Sequence, residues 1–285
     1  MKTKLAKMEM EQFLDIKCSK IAYLLGFIWA DGYICKDSAR ILMNKEDSNY
    51  IKPIIDSSGE WSVYINPNKS RPLSWKESIL FVKNSRILTS FLKENDYCEK
   101  SFKSPDKILS KIPENLKHYW WRGYFDGDGC INLTSKHRRA SICSTYEQDW
   151  KFVKDLASEL NFNFAIEKTK RINKSSGNEN KYSKIHIQNL RSLNLFLFYV
   201  YEGYETDNIG FKRKYDKWVL IKNHTEKRDA FIPSYIHYSK SRKTWQANYK
   251  KIYIGTYKTR EEAVLGQKNY LMANSLKLEP VLSLT

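Results

Sequence analysis

The fold is decided by two segments of the sequence, AYLLGFIWADG (residues 22–32) and YWWRGYFDGDG (residues 119–129). Both segments are apolar enough to form a buried helix, and both end in Asp-Gly. Asp31 and Asp128, the acidic residues before these glycines, lie 97 residues apart. A repeat at this spacing indicates that one small α/β unit occurs twice in the chain.

The elements predicted after the two segments come in the same order. After the first segment, the residue pattern predicts a hairpin over 33–44, strands at 61–66 and 75–82, and helices over 47–56 and 85–94. After the second, it predicts hairpins over 130–145 and 164–188, with helices over 147–160 and 190–201. We therefore predict an α+β fold with two pseudo-symmetric αββαββα halves in one chain.

The halves are predicted to span residues 15–105 and 106–222. Pro105 and Pro113 lie in the join and argue against one continuous helix there, because proline removes a helical hydrogen bond. A third segment, residues 229–280, follows a basic helix over 211–221. Its pattern predicts a small βββα module with strands at 234–238, 244–249 and 251–255 and a helix that begins at a capping box of Thr259 and Glu262.

The composition predicts a polyanionic partner and a reducing compartment. Lys and Arg outnumber Asp and Glu by 49 to 32, which gives a net charge of +17, and 19 Tyr and 8 Trp are present. Such an excess favours nucleic acid over a merely solvated surface, because each neutralised phosphate releases condensed counterions. The five cysteines form no Cys-x-x-Cys pair, and no apolar stretch approaches the roughly 20 residues that span a bilayer. We expect an intracellular protein without a signal peptide or a membrane segment.

Small residues four positions apart mark one stripe of each repeated helix. They are Gly26 and Ala30 in the first helix, and Gly123 and Gly127 in the second. Such a stripe lets another helix backbone approach closely. The equivalent stripe of the other repeat is the obvious partner, so we expect the two helices to pack together on a pseudo-twofold axis.

This packing brings Asp31 and Asp128 to the same end of the helix pair. Each carboxylate then lies at the negative end of a helix dipole and close to the other carboxylate, which is unfavourable. The arrangement becomes favourable when hard divalent cations bridge the carboxylates and bring phosphate and water together. One Asp-Gly turn is common, but two with the same preceding small residues point to a metal-dependent hydrolytic site. Gly32 and Gly129 are expected to cap the helices with positive φ.

Residues 24–32 (LLGFIWADG) and 121–129 (WRGYFDGDG) resemble the LAGLIDADG motif of single-chain, two-motif homing endonucleases. The stretch KSFKSPDKILSKIPENLKHYWW before the second motif and FKRKYDKW after the second half are similar to that family as well. The resemblance implies a monomer without an obligate protein partner that cuts double-stranded DNA in a staggered break and promotes mobility of its own coding element. It also implies Mg²⁺ or Mn²⁺ as the cofactor, with the carboxylates of Asp31 and Asp128 and the backbone carbonyls of Ala30 and Gly127 as ligands.

Further candidates lie near the two acids. Asp126 points to another face of its helix and is predicted to be structural or solvated. The resemblance also implies a basic group near the scissile phosphate, and Lys100 and Lys212 hold similar places in the two halves. The pattern does not separate Lys212 from Arg213 and Lys214.

One face of each sheet is expected to meet DNA, as in proteins that use strands to contact bases. Alternation directs Ile185 and Ile187 inward in one strand, and Trp61, Val63 and Ile65 inward in another. The candidate DNA contacts are Lys184, His186, Gln188, Tyr64 and Asn66 on the strands, with Asn68, Lys69, Arg71, Arg138 and Arg139 in loops.

Residues 243–263 (KTWQANYKKIYIGTYKTREEA) resemble the ethylene-response-factor, or Apetala-type, DNA-binding module. The matching residues are Trp245, Ala247, Gly255, Tyr257, Thr259, Glu261, Glu262 and Ala263. The resemblance implies a three-stranded sheet in the major groove, and the alternative is an appendage that packs on the preceding halves. The candidate DNA contacts of this module are Arg242, Lys243, Trp245, Tyr249 and Lys251.

Two functions from other classes remain open. The first is an RNA-binding intron maturase, and the second is a DNA-binding regulator that has lost cleavage. Loss of cleavage usually removes one of the acids, whereas Asp31 and Asp128 are both present, which favours an enzyme. No His-Asn-His arrangement is visible, so a histidine-metal nuclease is not expected.

Overall fold

The computed structural model describes residues 13–66, 77–134, 138–172, 177, 179–229, 236–239, 242–249 and 252–273. The chain separates into two compact units, Met1–Ile221 and Lys222–Thr285. In the part of the chain that the structure describes, no helix has the length and apolar character needed to cross a membrane. The boundary between the two halves of the first unit stays a prediction.

The first half of the larger unit has the predicted order of elements. Asn44 caps the second helix by accepting a hydrogen bond from the Asp47 amide, and Ser85 caps the third through the Leu88 amide. The four strands of this half form an antiparallel sheet in which the first strand of the chain is followed by the second, the fourth and the third. The elements are α1 (Ser19–Asp31), β1 (Gly32–Cys35), β2 (Ser38–Asn44), α2 (Lys45–Ser57), β3 (Ser62–Asn66), β4 (Ser78–Asn84) and α3 (Arg86–Glu94).

The second half repeats this arrangement, which confirms the predicted αββαββα pattern. The four strands of its sheet have the equivalent order. A short helix, α4 (Asp106–Lys111), and a 3-10 turn (Glu114–Leu116) form the join, so no continuous helix crosses the two prolines. The elements are α5 (Lys117–Asp128), β5 (Gly129–Leu133), β6 (Arg138–Thr145), α6 (Lys151–Glu159), β7 (Ala165–Ile172), β8 (Glu179–Ile187) and α7 (Leu190–Val200), followed by α8 (Tyr204–Asp207) and α9 (Lys212–Asp229).

Helices α1 and α5 pack against one another through the predicted stripe of small residues. A Cβ atom added at Gly26 would overlap the carbonyl oxygen of Trp120, and one added at Gly123 would overlap that of Tyr23. Both contacts involve backbone, which cannot rotate away as a side chain can. The close helix pairing is therefore confirmed, and glycine is required at both positions because no space remains for a side chain.

The prediction that Gly32 and Gly129 take positive φ is wrong. Their φ angles are −80° and −85°, and both residues are extended at the start of a strand. Glycine is needed there for space instead, because a Cβ at Gly32 would lie 2.6 Å from the Ile28 carbonyl oxygen and one at Gly129 would overlap Phe125.

The helix predicted over 147–160 begins later, at Lys151. Trp150 precedes it with a φ of 58°, in the left-handed region, and its ring is fully buried. The indole Nε1 donates a hydrogen bond to Ser183 Oγ at 2.9 Å. Burial of this ring holds the chain out of the helical conformation before residue 151.

The smaller unit has the predicted βββα order. Strands β9 (Ile236–Ser239), β10 (Thr244–Tyr249) and β11 (Ile252–Tyr257) form an antiparallel sheet with β10 in the centre, followed by α10 (Arg260–Ala273). The capping box is confirmed, because Thr259 Oγ1 accepts from the Glu262 amide and the Glu262 carboxylate accepts from the Thr259 amide, both at 3.2 Å. A small core forms around Ala247 and Ala263.

Candidate active site

The two acidic residues of the repeated helices lie together at one end of the α1–α5 pair. Asp31 is the last residue of α1, and Asp128 is the last residue of α5. The Asp31 carboxylate reaches across to the other helix, since a Cβ at Gly127 would lie 3.2 Å from its Oδ2. Asp31 keeps solvent access and Asp128 is half-buried, so a ligand from outside can reach the pair.

Loss of hydration makes both carboxylates harder to ionise. Loss of hydration raises the pKa of Asp128 to about 7, and the nearby Asp31 charge contributes to the same shift. Loss of hydration also raises the pKa of Asp31, against the positive charges of Lys100 and Lys214. A divalent cation between the two carboxylates would remove this unfavourable interaction.

We expect Asp128→Asn to stabilise the metal-free protein above pH 7. A carboxyl whose pKa is higher in the folded state binds protons more tightly when folded, so stability falls as pH rises from about 4 to the folded value near 7. Asparagine carries no charge to bury, so the variant does not lose stability in this pH range. Thermal unfolding in EDTA at pH 8 should show a melting temperature a few degrees higher for the variant, since 1 kcal/mol corresponds to ~2–4 °C in a unit of this size. The two proteins should converge below about pH 4; parallel curves over the whole range would contradict the shift.

One lysine closes the end of each repeated helix, the half-buried Lys100 at the first and the buried Lys214 at the second. Lys100 Nζ donates to the carbonyl oxygens of Ala30 and Gly32 at 2.7 and 2.5 Å. Lys214 Nζ donates to the carbonyls of Phe125, Asp126 and Gly129 at 2.7, 2.7 and 2.6 Å. Both ammonium groups satisfy carbonyls at the negative helix ends, and both lower the pKa of Asp128 and Asp31. Burial lowers the pKa of Lys214 to about 8.

The prediction that Lys212 is the counterpart of Lys100 is wrong in position. Lys212 is exposed and its ammonium pairs with the Asp216 carboxylate at 2.7 Å. Lys214 takes the equivalent place, while Arg213 makes a two-point contact with Asp47 at 2.8 and 2.9 Å. The helical spacing could have identified Lys214, because it shares one face of α9 with the buried residues Phe211, Tyr215, Trp218 and Ile221.

Asp126 has the predicted structural role, and Arg122 shares it unexpectedly. The buried Asp126 carboxylate accepts hydrogen bonds from Tyr23 Oη and the Phe211 amide at 2.8 Å, and from Tyr201 Oη at 3.2 Å. Phe211 directly precedes α9, which carries Lys214, so this carboxylate helps to fix where that helix begins.

Arg122 lies fully buried within the second motif helix. Its guanidinium donates to the carbonyls of Val200 and Ile209 at 2.8 and 2.9 Å and to Asp207 at 3.1 Å. A charged residue inside an apolar helix was the sequence signal for this role. Arg122 therefore ties α5 to the segment between α7 and α9.

The strand residues predicted to contact DNA in the second half lie on the face of the sheet that points away from the core helices. Lys184 lies on this face and is half-buried, while Gln188 is exposed just beyond β8. His186 shares the face, but the expectation that it is open to solvent is wrong. Its side chain is only 8% exposed, with Nε2 2.8 Å from Glu167 Oε2. Arg138 and Arg139 begin β6 and are both partly buried.

In the first half, Tyr64 is exposed on the corresponding face. Asn66 ends β3, and its side chain lies outside the described residues, as do Asn68, Lys69 and Arg71 entirely. Val63 and Ile65, which were expected to point inward, are exposed because β3 is an edge strand.

In the smaller unit, Arg242 and Lys243 are exposed in the turn before β10. Trp245 instead packs on the core formed by Ala247 and Ala263. The prediction that Trp245 lies on the DNA-facing side of the sheet is therefore wrong. The side chain of Tyr249 and all of Lys251 lie outside the described residues.

The donor atoms at the end of the helix pair are hard oxygen ligands. Among the described residues there is no group of three or more His, Cys, Asp or Glu side chains that could hold a metal ion. Two carboxylates suit Mg²⁺, which commonly binds one or two carboxylates and completes its coordination with water and substrate phosphate. The Ala30 carbonyl already accepts a hydrogen bond from Lys100, and its second lone pair is the one that could serve a cation.

Comparison with family models finds one match, over the second repeat. Residues 115–201 match a family model described as a LAGLIDADG-like domain, so the second repeat is similar to that domain. No curated protein sequence matches the chain.

Solved structures with a similar fold include two bound to DNA and a third whose description names no partner. The I-SmaMI LAGLIDADG homing endonuclease bound to cleaved DNA is 15% identical, over 74% of this chain and 91% of its own, with a TM-score of 0.46. The homing endonuclease I-WcaI bound to its DNA recognition sequence is 19% identical, over 75% and 92%, with a TM-score of 0.47. Full-length DUF199/WhiA from Thermatoga maritima is 14% identical, over 79% and 70%, with a TM-score of 0.42.

Proposed function

We propose that this chain is a divalent-metal-dependent DNA endonuclease of the LAGLIDADG type that makes a staggered double-strand break. The observation that carries the proposal is the convergence of Asp31 and Asp128 at the open end of two tightly packed helices. Two mutually repelling carboxylates at negative helix ends are costly for a fold that needs only a scaffold. Their presence is explained by a reaction that uses a cation there.

The chain's own residues have separate tasks in this proposal. The two carboxylates would hold Mg²⁺ or Mn²⁺, and the bound ion would polarise a water and neutralise charge on the scissile phosphate. Lys100 and Lys214 hold the ends of the motif helices, and their positive charge favours the ionised form of both carboxylates by lowering the pKa of each. The Gly26 and Gly123 contacts fix the spacing of the helices and therefore of the two acids.

Double-stranded DNA is the proposed partner, bound along the outer faces of both sheets by a monomer inside the cell. A net charge of +17 favours this partner. The direct test is incubation of the full chain with duplex DNA that flanks its own coding sequence, in Mg²⁺ and in Ca²⁺. Ends with a stagger in Mg²⁺ would support the proposal. Binding without any cut would favour the regulator, and preference for the intron RNA would favour the maturase.

Two exposed cysteines allow the proposed DNA face of the second half to be probed without mutation. Cys130 pairs with Ser141, two residues before Cys143, so both thiols lie on the outer face of this sheet. We expect bound duplex to slow their reaction with N-ethylmaleimide roughly tenfold, when DNA is at about ten times its Kd. Cys18 is also exposed but lies at the opposite end of α1 from Asp31. Mass spectrometry should show that bound duplex leaves the rate of modification at Cys18 unchanged. If DNA slowed the modification of all three thiols to the same extent, this mode of binding would be contradicted.

We propose that the smaller unit adds phosphate contacts, in line with its resemblance to an ethylene-response-factor module. Arg242 and Lys243 are exposed beside β10, and Lys243 has a φ of 51° that asparagine tolerates. The double variant Arg242→Ala with Lys243→Asn should weaken DNA binding roughly fivefold and lower the salt dependence by about one unit per lost contact. Lys52→Ala, an exposed charge on α2, is the control. Unchanged affinity and salt slope in the double variant would assign the unit to another task.

A further inference from the structure

The two sheets of the larger unit present different chemistry at equivalent positions. Gly32 pairs with Ile41 as Gly129 pairs with Ile142, so the strand registers of the two halves correspond. One row across the first sheet, which we call the apolar row, consists of Leu42, Leu80 and Tyr64. The corresponding row across the second sheet, the polar row, consists of Cys143, Lys184 and Glu167.

The apolar row is accessible and is not part of the core. Leu42 is 45% exposed and Tyr64 is 54% exposed, whereas the adjacent residues Ile41 and Phe81 are buried under the helices. Tyr33, on the same face and only two residues from Asp31, is 41% exposed. The apolar surface therefore starts beside the candidate active site and continues across the sheet, with Arg40 next to Tyr33 in the register.

The major groove of DNA offers one apolar group, the C5-methyl of thymine, and otherwise hydrogen-bond donors and acceptors. The two leucines of this row gain free energy against methyl groups, whereas they would leave the polar edges of G·C pairs without partners. In the polar row, Lys184 can donate to guanine O6 and N7, which the two leucines of the apolar row cannot do.

We infer that the DNA target is asymmetric in composition, with thymine methyl groups facing the apolar row and G·C pairs facing the polar row. This inference rests on the proposed function and names its substrate more closely. It makes Leu42, Leu80 and Tyr64 determinants of specificity for one half-site. The net charge of +17 of the whole chain, together with Arg40 on this face, favours DNA over an apolar protein partner.

The test begins with selection of duplexes from a randomised pool by the full chain in Ca²⁺. We expect the enriched sequences to be rich in A·T pairs in one half-site only. Deoxyuridine, which lacks the methyl group and keeps the base pairing, then replaces thymine in one half-site at a time. Affinity should fall about fivefold to tenfold for the half-site under the apolar row, when two or three methyl groups are lost. Substitution in the other half-site should change it by less than about twofold.

A matched pair of variants tests whether the apolar row causes the loss of affinity on uracil substitution. Leu42→Ser should reduce the discrimination between thymine and uracil, whereas Cys143→Ser, at the equivalent position of the other sheet, should preserve it. Selected sites without compositional asymmetry, or a uracil substitution without effect, would overturn the inference and leave the proposed function standing. If Leu42→Ser leaves the discrimination intact, the row does not read the methyl groups, which also overturns it. Failure to enrich any duplex would count against the proposed function itself.

Discussion

Asp31→Asn and Asp128→Asn should each abolish double-strand cleavage, with a loss of rate of about 10²-fold or more. Asparagine has nearly the shape of aspartate but carries no charge, so it binds a hard divalent cation poorly while the helix ends keep their packing. The measurement is single-turnover cleavage of the duplex that flanks the coding sequence, at saturating protein in Mg²⁺. Gel analysis under denaturing conditions separates nicking of one strand from cutting of both.

DNA affinity in Ca²⁺ should remain within about threefold of the unaltered chain, because the outer faces of the sheets and most of the positive charge are unchanged. Asp56→Asn is the matched control, since Asp56 is an exposed carboxylate on α2 that pairs with Lys52. This variant should cut normally. Cutting at the original rate by either Asp31→Asn or Asp128→Asn would remove the carboxylate pair from the chemistry and with it the basis of the proposed function.

The parts of the fold that could be predicted are those with strong local signals. The helix pair and its close packing could be predicted from the repeated motif. The spacing of the glycines is visible in the sequence, and two helix backbones can make contact only where glycine leaves space. The strands could be predicted from the alternation of apolar and polar residues. The φ of Gly32 could not be predicted, because an extended residue and a left-handed cap both favour glycine, for space in one case and for conformation in the other.

Features that depend on distant partners could not be predicted in the same way. The burial of His186 follows from Glu167 on the neighbouring strand, and Trp245 is covered by a helix that comes later in the chain. The sequence indicated that these residues belong to strands. It could not indicate which face a neighbouring element would cover, because that depends on tertiary packing.

Lys214→Met should reduce cleavage at neutral pH by about 10²-fold, whereas Lys212→Met should leave the rate within about twofold. The two lysines are two residues apart on α9, but only Lys214 reaches the end of the second motif helix, and Lys212 pairs with Asp216 at the surface. Removal of the ammonium group takes away positive charge that lowers the pKa of Asp128. A larger fraction of this carboxyl is then protonated at neutral pH and cannot bind a cation.

A purely structural role for Lys214 would also reduce activity, because Met leaves three backbone carbonyls without their donor. The pH profile separates the two roles. If the charge of Lys214 keeps Asp128 ionised, the acid limb of the cleavage profile moves to higher pH in Lys214→Met, and activity recovers partly as the pH is raised through the range above 7. A lysine that only closes the helix end would lower the rate by a constant factor and leave that limb where it is. Thermal unfolding and DNA affinity in Ca²⁺, measured on the same samples, show that the variant is folded and bound when its cleavage is recorded.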